Sequence, residues 1–575
     1  MAPSNNLPNY TDFDSLLQVF ETFTNCYKNN VLFHYKIPDG GTSRVPEYKT
    51  LTYSQVDTIT THLANIWKPM IPPDTSCVAV FNDNPIQATL ALFAILKLGL
   101  ITFPLSPHHT KDVLTHLLIE SNTGFFITSK ENVTKAIDSV NAVAQQQQQQ
   151  QRERIAQNDN KRTPVIMDIK IWDQFDDIME QLLLDTTMSP SNPIHDDSNN
   201  HISSYNRLII SAQHDVDSTT TVVYAITSGS TSTTYPKLIH WSTQSIMYMV
   251  LEMNIKSLIR EGKDDPNFIM QSTDVMIIIA TSFLAGASLG ELFTVFSVGG
   301  SVVLLDDLSK LHPHDFLEVS EMFQVSLMLA PPSFLERLAE YLKTLPGNNW
   351  TIVSKTLQRV KYCFYGGLPL QIEIGDYLQS KGLNVRTHYG ATETCIMSQA
   401  NVSRENKNWY KIHPTPELMH YATFEPFDND MFHLVIHSNF PSLAKNVANR
   451  PNGNYATRDL FIKDSPRYWT YVGRMDDIMN LKSGVLVNPI PLETELCKEE
   501  IIKKCVIVVH QVIRKVNKTG HYEAAISIPE MIYILPFGKQ LPMTAKGAIS
   551  RKKTNQEFNQ EIEQMYTNFI RINQR

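Results

Sequence analysis

Short runs of β-branched and aromatic residues alternate with helical patterns along most of this chain, and this alternation constrains the fold more than any other feature. The runs Cys77–Phe81, Val275–Ala280 and Ser301–Leu305 each predict a buried strand, and apolar helical segments stand between them. Strands that alternate with helices build mostly parallel sheets covered by helices. The predicted fold class is therefore α/β, and ligands are expected at the carboxyl ends of the strands.

The chain is long enough for two domains. Its 575 residues exceed what one hydrophobic core usually holds. Residues 473–575 carry 15 Lys and Arg against 11 Asp and Glu, although the whole chain has a net charge of −8. We predict a large domain over residues 1–472 and a small, basic α+β domain over residues 473–575. The small domain would be a mobile lid that closes over a polyphosphate, or it would only dock by charge.

Two polar segments lack any apolar period and are predicted to be low-complexity insertions in mobile surface loops. The first lies near residues 144–161 and contains seven consecutive glutamines, Gln145 to Gln151. The second lies near residues 186–205 and is rich in Ser, Asn, Asp and Pro. Recruitment of a partner and a tolerated loop expansion are both open for these segments.

Charge and composition argue against several classes of protein. The net charge of −8 disfavours nucleic-acid binding, which needs a basic face. None of the six cysteines shows CxxC spacing, which favours free thiols. Polar residues and glycines interrupt the most apolar stretch, 275–305, so a core rather than a membrane span is predicted. The N-terminus lacks a signal-peptide pattern, and the expected location is cytoplasmic.

The segment Thr227–Lys237, TSGSTSTTYPK, follows a predicted strand and is rich in glycine, serine and threonine. Backbone N–H groups and hydroxyls in such a loop bind anionic oxygens, and a lysine adds a point charge. The alternative is an ordinary serine-rich turn. The candidate phosphate contacts are Thr227, Ser228, Gly229, Ser230, Thr231 and Lys237.

A second candidate segment, THYGATET, joins a glycine turn to a hydroxyl and a carboxylate. Glu393 is a hard oxygen ligand suited to Mg²⁺ beside a triphosphate, and Thr392 offers a hydroxyl to a phosphate oxygen. The alternative is a strand-end turn with an exposed glutamate.

Four further positions in the last quarter of the chain are candidate site residues. Asp459 is a candidate acceptor for ribose hydroxyls, with Arg474 as a donor beside it. Asp476 stands at a hinge or a turn. Lys546 precedes a glycine, and a lysine on such a loop either enters a site transiently or belongs to a solvated basic segment.

The order of these segments resembles the superfamily of acyl-CoA synthetases, luciferases and nonribosomal peptide synthetase adenylation domains. The likeness covers nearly the whole chain. The matching segments are LKLGLITFPLSP (96–107), the phosphate loop, YGGLPL (365–370), YGATE (389–393), YATRDL (455–460), GRMDD (473–477) and PMTAKG (542–547).

A narrower likeness is to the adenylation domains of fungal carboxylic acid reductases built like peptide synthetases. It rests on the stretch GRMDDIMNLKSGVLVNPIPLE and on the ending TAKGAISRKKT. Those proteins normally continue into a carrier domain and a reductase domain. This sequence contains neither a carrier serine motif nor a GxGxxG loop, so a stand-alone unit and a truncated one are both open.

The resemblance implies ATP-dependent activation of a carboxylic acid to an acyl-adenylate, with release of pyrophosphate. Transfer to a thiol would follow, the acceptor being coenzyme A or the phosphopantetheine of a carrier protein. By the same resemblance Mg²⁺ binds Glu393, the hinge is Asp476 and an acceptor tunnel passes Gly484. The implied catalytic residues are Lys546, Glu393 and Thr392. The implied nucleotide contacts outside the phosphate loop are Gly366, Gly367, His388, Tyr389, Gly390, Ala391, Asp459 and Arg474.

The acid is predicted to be aryl or aliphatic and not an α-amino acid. Amino-acid-activating relatives place an aspartate after the strand at 275–280, whereas residues 282–288, SFLAGAS, contain no acid. An α-amino group without a partner would be costly to bury.

Three departures from the family pattern keep an alternative open. The phosphate loop is two residues longer than that pattern, and Lys546 lies two residues before the commonest lysine position. Leu284 stands where many relatives have a histidine. The alternative is a catalytically weak or inactive binding protein with the adenylate-forming fold, acting through its low-complexity loops.

Overall fold

The computed structural model describes most of the chain. The described residues are 8–36, 48–82, 84–156, 169–172, 217–227, 235–261, 266–279, 286–305, 311–346, 350–428, 430–480, 486–497, 502, 504–507, 532–536, 538–543 and 549–573.

Twenty strands are assigned within these ranges. They are β1 (Val31–Lys36), β2 (Tyr48–Thr52), β3 (Cys77–Phe81), β4 (Ile101–Pro104), β5 (Thr123–Thr128), β6 (Lys170–Trp172), β7 (Thr221–Thr227), β8 (Lys237–Ser242), β9 (Val275–Ile278), β10 (Ser301–Leu304), β11 (Leu327–Leu329), β12 (Tyr362–Tyr365), β13 (Val385–Ala391), β14 (Cys395–Gln399), β15 (Ala422–Asp428), β16 (Met431–Ile436), β17 (Tyr455–Lys463), β18 (Trp469–Arg474), β19 (Met479–Asn480) and β20 (Leu486–Val487).

The α-helices of the described residues alternate with many of these strands. They are α1 (Leu16–Cys26), α2 (Tyr53–Trp67), α3 (Pro85–Lys97), α4 (Lys111–Glu120), α5 (Val133–Ala156), α6 (Thr243–Tyr248), α7 (Ser257–Glu261), α8 (Gly286–Val298), α9 (Pro313–Met322), α10 (Pro332–Thr344), α11 (Trp350–Arg359), α12 (Ile372–Ser380), α13 (Pro416–Tyr421), α14 (Ile490–Leu496), α15 (Arg551–Glu557) and α16 (Asn559–Asn573). A π-helix, Met249–Lys256, connects α6 to α7.

Contacts within the chain divide it into two compact units. The first unit comprises residues 1–229, 234–418 and 438–448, and the second comprises 230–233, 419–437 and 449–575. The boundary predicted after residue 472 and the mobility of a lid stay predictions.

Two largely parallel sheets form the first unit. The larger has eight strands in the order β14-β13-β12-β11-β9-β10-β1-β2, with antiparallel strands only at its two edges. The smaller has six strands in the order β6-β5-β3-β4-β7-β8, and only the β7–β8 pair is antiparallel. Parallel strands buried on both faces are continuous apolar runs, as in β3, where every residue is buried.

Helices associated with the two sheets pack against each other through aromatic side chains. Phe20 of α1 lies 4.9 Å from Phe93 of α3 and 5.3 Å from Phe296 of α8, measured between ring centroids. Because α3 is apolar on nearly all sides, it suits this buried position. The predicted strands and helices around residues 77–100 and 275–305 are confirmed, and so is the α/β fold class.

The second unit is built differently. Its main sheet is antiparallel, with the order β15-β16-β17-β18, and β19 pairs with β20 in a separate hairpin. The helices α14, α15 and α16 belong to the same unit.

The prediction of a loop at the glutamine run is wrong. Helix α5 extends to Ala156 and includes Gln145 to Gln151, most of them exposed. Glutamine has a good intrinsic helix propensity, so a polar run continues a helix that its first turns have already started. Residues 157–161 and 186–205 lie outside the described residues.

All six cysteines carry free thiols, as predicted. Within the described ranges, none of the helices has both the length and the hydropathy needed to cross a bilayer.

Candidate active site

The ends of the predicted phosphate loop meet in the β7–β8 hairpin. Thr227, the last residue of β7, lies directly opposite Lys237, the first residue of β8. Lys237 is exposed and Thr227 is partly buried. Just before β8, the ring of Tyr235 stacks on the ring of His116 in α4, with 4.4 Å between the ring centroids. The loop residues Ser228, Gly229, Ser230 and Thr231 lie outside the described residues.

Glycines allow β12 and β13 to approach each other at their carboxyl ends. Tyr365 pairs with Thr387, and the next residue, Gly366, has no room for a side chain, because a Cβ there would lie 2.6 Å from the carbonyl oxygen of His388. Gly367 has a φ of +81°, a backbone conformation that favours glycine.

The hairpin between β13 and β14 has a similar close contact. A Cβ on Gly390 would lie 2.3 Å from the carbonyl oxygen of Cys395. The backbone of Cys395 has a φ of +58°. The strand therefore ends in a tight turn that presents Ala391, Thr392 and Glu393.

Hydrogen bonds from two other segments fix this turn. Trp241 of β8 donates from Nε1 to the carbonyl oxygen of Thr392 at 2.8 Å. The backbone N–H of Ala444 donates to the carbonyl oxygen of Glu393 at 2.9 Å. Since Lys237 begins the same strand as Trp241, the structure joins the strand that follows the phosphate loop to the turn of Thr392 and Glu393.

His388 lies inside the first unit. Its side chain is 3% exposed and stacks on Phe364 at 4.5 Å. Its Nδ1 atom lies 3.5 Å from Oε1 of Glu291 in α8, which is 2% exposed. Burial lowers the pKa of His388 to about 3 and raises the pKa of Glu291 to about 8. Neighbouring residues of a strand point to opposite faces, so Tyr389 lies on the other face of β13.

The predicted ribose contacts lie together in the second unit. Asp459 of β17 is the cross-strand partner of Arg474 in β18, and Arg474 Nη1 lies 3.7 Å from Asp459 Oδ1. Asp476, the predicted hinge, lies in the 3-10 turn Met475–Asp477. Its Oδ1 accepts a hydrogen bond of 2.8 Å from Arg458, and its Oδ2 lies 3.6 Å from Arg474 Nη2.

Gly484 and Lys546 lie outside the described residues. The predicted site residues that the structure does bring together are therefore those of the β7–β8 and β12–β14 segments in the first unit, and the pair Asp459 and Arg474 in the second.

Glu393 fits a role as a ligand of Mg²⁺. It is partly buried on a turn whose backbone is fixed, and among the described residues no ion pair or side-chain hydrogen bond engages its carboxylate. The described ranges contain a single cluster of three metal-binding side chains, the exposed His314, Asp315 and Glu318 on α9. One carboxylate suits a Mg²⁺ ion whose remaining ligands are phosphate oxygens and water.

Two residues near the site were not predicted from the sequence. Trp241 is marked only by its place four residues after Lys237. Glu291 is marked as the only acid within the apolar stretch of α8.

Comparison with protein families identifies the class. The AMP-binding enzyme family matches residues 21–417, and the AMP-binding enzyme C-terminal domain matches residues 508–570. The first match alone covers more than half of the chain, and the chain belongs to the AMP-binding enzyme family.

Individual relatives are distant. An adenylate-forming reductase from Aspergillus terreus is 23% identical over 285 residues, 44% of this chain and 25% of that protein. Adenylate-forming reductase Nps11 from Serpula lacrymans is 20% identical over 542 residues, 86% of this chain and 44% of that protein. This chain therefore spans less than half the length of either relative.

Among solved structures, ATP-bound MatB from Rhodopseudomonas palustris is similar with a TM-score of 0.66 at 14% identity. The match covers 96% of this chain and 100% of that one. The likeness shows that the chain has the fold of that enzyme.

Proposed function

We propose that this chain activates a carboxylic acid with ATP and then passes the acyl group to a thiol. In the first step a carboxylate oxygen attacks the α-phosphorus, the bond to the β-phosphate breaks, and pyrophosphate leaves. In the second step a thiol attacks the acyl carbon, AMP leaves, and the thiol gives up its proton. The acceptor is coenzyme A or a carrier-protein phosphopantetheine, and the location is cytoplasmic.

The observation that carries this proposal is the hydrogen bond from Trp241 to the Thr392 carbonyl, in a chain that belongs to the AMP-binding enzyme family. This hydrogen bond connects β8, the strand that begins at Lys237, to the turn of Thr392 and Glu393. A reaction at phosphorus requires charge neutralisation and alignment rather than a protein nucleophile. A fixed turn with a hydroxyl and a carboxylate provides positions for both.

The proposed roles follow the position of each residue. The loop from Thr227 to Lys237 binds the phosphates, Thr392 donates to a phosphate oxygen, and Glu393 holds Mg²⁺. Bound there, Mg²⁺ would neutralise charge on the departing pyrophosphate. The adenine is proposed to lie beside Tyr389, near Gly366, Gly367, Gly390 and Ala391.

Five residues from the C-terminal part of the sequence complete the proposal. Asp459 and Arg474 bind the ribose hydroxyls, Asp476 is the hinge, and Lys546 contacts the reacting groups during adenylation. Gly484 borders the path of the acceptor thiol.

ATP–pyrophosphate exchange across a panel of aryl and aliphatic acids tests the first step. We expect exchange with at least one acid and a loss of about a hundredfold or more in Lys546→Ala. The matched control is Lys552→Ala, which removes an exposed lysine from α15 and should exchange like the wild type.

Other outcomes of the panel would favour the alternative function. Measurable ATP binding without exchange for any acid would indicate a binding protein that keeps the fold. Equal losses of exchange activity in the Lys546 and Lys552 variants would contradict the role proposed for Lys546. Incubation of the preformed acyl-adenylate with coenzyme A, or with a phosphopantetheinylated carrier, tests the thiol step separately.

A further inference from the structure

Two thiols are in contact in the second unit. Cys497 directly follows α14, and Cys505 lies in the described segment 504–507. Their Sγ atoms are 3.6 Å apart, and both side chains are partly exposed. Because the S–S bond of a disulfide is about 2.05 Å long, a relative movement of roughly 1.5 Å would bring the two sulfurs to bonding distance. The pair is therefore a candidate site of oxidation.

Hydrogen bonds to Glu493 hold the two thiols in this position. The carbonyl oxygen of Glu493 accepts from the backbone N–H of Cys497 at 3.0 Å and from Cys505 Sγ at 3.4 Å. The backbone N–H of Ile507 donates to Glu493 Oε1 at 2.6 Å. The segment that carries Cys505 is thus attached to α14 at two points, and the contact of Ile507 does not involve a thiol. This second contact keeps the segment on α14 when oxidation removes the thiol hydrogen of Cys505.

Metal binding and ordinary packing account for the pair less well. A structural zinc ion has four ligands, and two thiolates would supply only half of them. Within the described ranges, no third metal-binding side chain joins the two sulfurs, since the cluster of three such groups lies on α9. A free cysteine packs as a small apolar side chain, but packing does not require two thiols to meet at a partly exposed position. Oxidation is the chemistry that needs these two groups alone.

The surroundings of Cys505 indicate which thiol reacts first. Burial raises the pKa of Cys505 to about 12, and the hydrogen bond and charge of Cys497 and the charge of Glu493 contribute to this shift. A thiol that keeps its proton is a poor nucleophile, so the first attack is assigned to Cys497. Once Cys497 is bound in a disulfide it carries no charge, which lowers the pKa of Cys505 and favours the second attack.

We propose that Cys497 and Cys505 form an oxidation site, which a small disulfide of the glutathione class converts reversibly into an intramolecular disulfide. Neither cysteine belongs to the proposed active site, so this chemistry requires neither ATP nor a carboxylic acid. In a reducing compartment such a bond is transient and forms when the small disulfide accumulates.

Two exchange steps form the bond. In the first, the sulfur of Cys497 attacks one sulfur of glutathione disulfide, the S–S bond breaks, and one glutathione leaves as a thiol with the proton of Cys497. In the second, the sulfur of Cys505 attacks Cys497 Sγ, the mixed disulfide breaks, and the second glutathione leaves with the proton of Cys505. The two protein thiols are oxidised, and glutathione disulfide is reduced to two thiols.

The new bond would restrain the end of α14. It closes the loop from residue 497 to residue 505 and replaces the weak hydrogen bond of the Cys505 thiol with a covalent link. Backbone amides of α14 that exchange through local unfolding should therefore exchange roughly tenfold more slowly in the oxidised chain.

The test equilibrates the 575-residue chain with glutathione and glutathione disulfide at stepped ratios. Acid quenching, alkylation of the remaining thiols and peptide mass spectrometry then identify the state of each cysteine. We expect Cys497 and Cys505 to lose alkylation together and to appear in linked peptides that dithiothreitol separates. Glutathione on Cys497 should stay below roughly a tenth of the linked form, because the second thiol is already in place.

Single variants separate the two steps. Cys505→Ser keeps a donor to the carbonyl oxygen of Glu493 but removes the second thiol, so it should accumulate a stable mixed disulfide between Cys497 and glutathione. Cys497→Ser should leave most of Cys505 reduced, because burial still disfavours its thiolate. The control is Cys26→Ser, which removes an exposed cysteine from the first unit and should form the linked peptides as the wild type does.

Three results would overturn the inference. The first is full alkylation of Cys497 and Cys505 at every ratio, including glutathione disulfide alone. The second is a stable mixed disulfide on Cys497 of the wild type without linked peptides. The third is a link from either cysteine to Cys26 or to another copy of the chain in place of the internal one. Hydrogen exchange of α14 that is equal in the reduced and the oxidised chain would reject the restraint that the bond is expected to impose.

Discussion

The indole of Trp241 is fully buried and donates to the carbonyl oxygen of Thr392 at 2.8 Å. Trp241→Phe keeps most of the apolar ring but leaves that carbonyl without its partner. We expect a loss of about 1–3 kcal/mol in the free energy of unfolding. Because the turn carrying Glu393 is then less fixed, kcat/KM for ATP in the exchange assay should fall roughly tenfold.

Trp409→Phe is a matched control for this substitution. Trp409 is equally buried, and its Nε1 donates to Asp376 at 2.8 Å. It should lose similar stability in urea unfolding with little effect on exchange. Equal losses of exchange in both variants would show that the Trp241 effect is one of general stability.

The carboxyl of Glu291 makes stability depend on pH in a direction opposite to that of most acids. Burial raises its pKa from 4.5 to about 8, so the folded chain holds this proton over a range in which the unfolded chain has lost it. The contribution of this carboxyl to stability therefore falls as pH rises through this range, by up to about 1.4 kcal/mol per pH unit. Glu291→Gln should be nearly as stable as the wild type near pH 5 and more stable near pH 8.

Urea unfolding across this pH range checks the prediction, and Glu321→Gln is its control. Hydrogen bonds from Arg359 and Thr356 lower the pKa of Glu321. The contribution of Glu321 to stability is therefore lost only when the pH falls below the ordinary pKa of a glutamate. The difference between Glu321→Gln and the wild type should be constant between about pH 5 and pH 8. A constant difference for Glu291→Gln as well would contradict the prediction.

At the scale of elements, the contact between the ends of β12 and β13 depends on a glycine. The atom that a Cβ on Gly366 would meet, His388 O, belongs to the backbone of the neighbouring strand, so it cannot move without separating the strands. We expect Gly366→Ala to cost about 1–3 kcal/mol of stability and to abolish most of the exchange activity.

Gly538→Ala provides the comparison. Gly538 has a φ of +87°, and no atom of the described residues lies within 4 Å of a Cβ there, so alanine is expected to meet only backbone strain of about 1–2 kcal/mol. Its exchange activity should be close to that of the wild type. If Gly366→Ala melts no earlier than the wild type, the strand ends are more adaptable than the backbone geometry indicates.

The regular elements were predictable because their signals are local. The apolar runs at β3, β9 and β10 and the apolar helix α3 follow from residue type and spacing. The glutamine run was mispredicted for a physical reason: it has no apolar period, yet glutamine favours a helix that has already begun. Periodicity indicates which face is buried and does not limit how far an exposed helix continues.

The site was predictable only in part because some of its contacts join distant segments. The glycines and the residues Thr392 and Glu393 stand in short motifs that the sequence displays. The contact of Trp241 with Thr392 spans 151 positions, and no spacing rule marks it. Glu291 stands out as an acid in an apolar helix, but its approach to His388 depends on how α8 packs against β14.

At the scale of the whole molecule, the second unit contains segments from both predicted domains, residues 1–472 and residues 473–575. The sheet β15–β18 lies in the same unit as α14, α15 and α16. Composition alone suggested a boundary at the change in charge near residue 472. Asp476, proposed as the hinge, is restrained within this unit by Arg458 and Arg474, so rotation about it would have to break or exchange these two contacts.

Arg551 connects three parts of the second unit. Both Nη atoms donate to the carboxylate of Glu493 in α14, Nη2 to Oε2 at 2.5 Å, and Nη1 also donates to the carbonyl oxygen of Ile507 at 3.0 Å. The Nε atom lies 3.5 Å from Asp477 in the 3-10 turn. Since the Arg551 and Glu493 side chains are only 18% and 14% exposed, removal of the cation leaves a largely buried carboxylate that keeps, among the described residues, only the hydrogen bond it accepts from the backbone N–H of Ile507.

We therefore expect Arg551→Ala to destabilise the second unit by about 2–3 kcal/mol. Calorimetry should show an earlier transition for this unit and an unchanged one for the first, with faster proteolysis confined to residues 449–575. Arg450→Ala removes an ion pair with Glu425 whose side chains are 40% and 41% exposed, and it should cost less than about 1 kcal/mol. Equal shifts in the two variants would mean that Arg551 stabilises this unit no more than an exposed ion pair does.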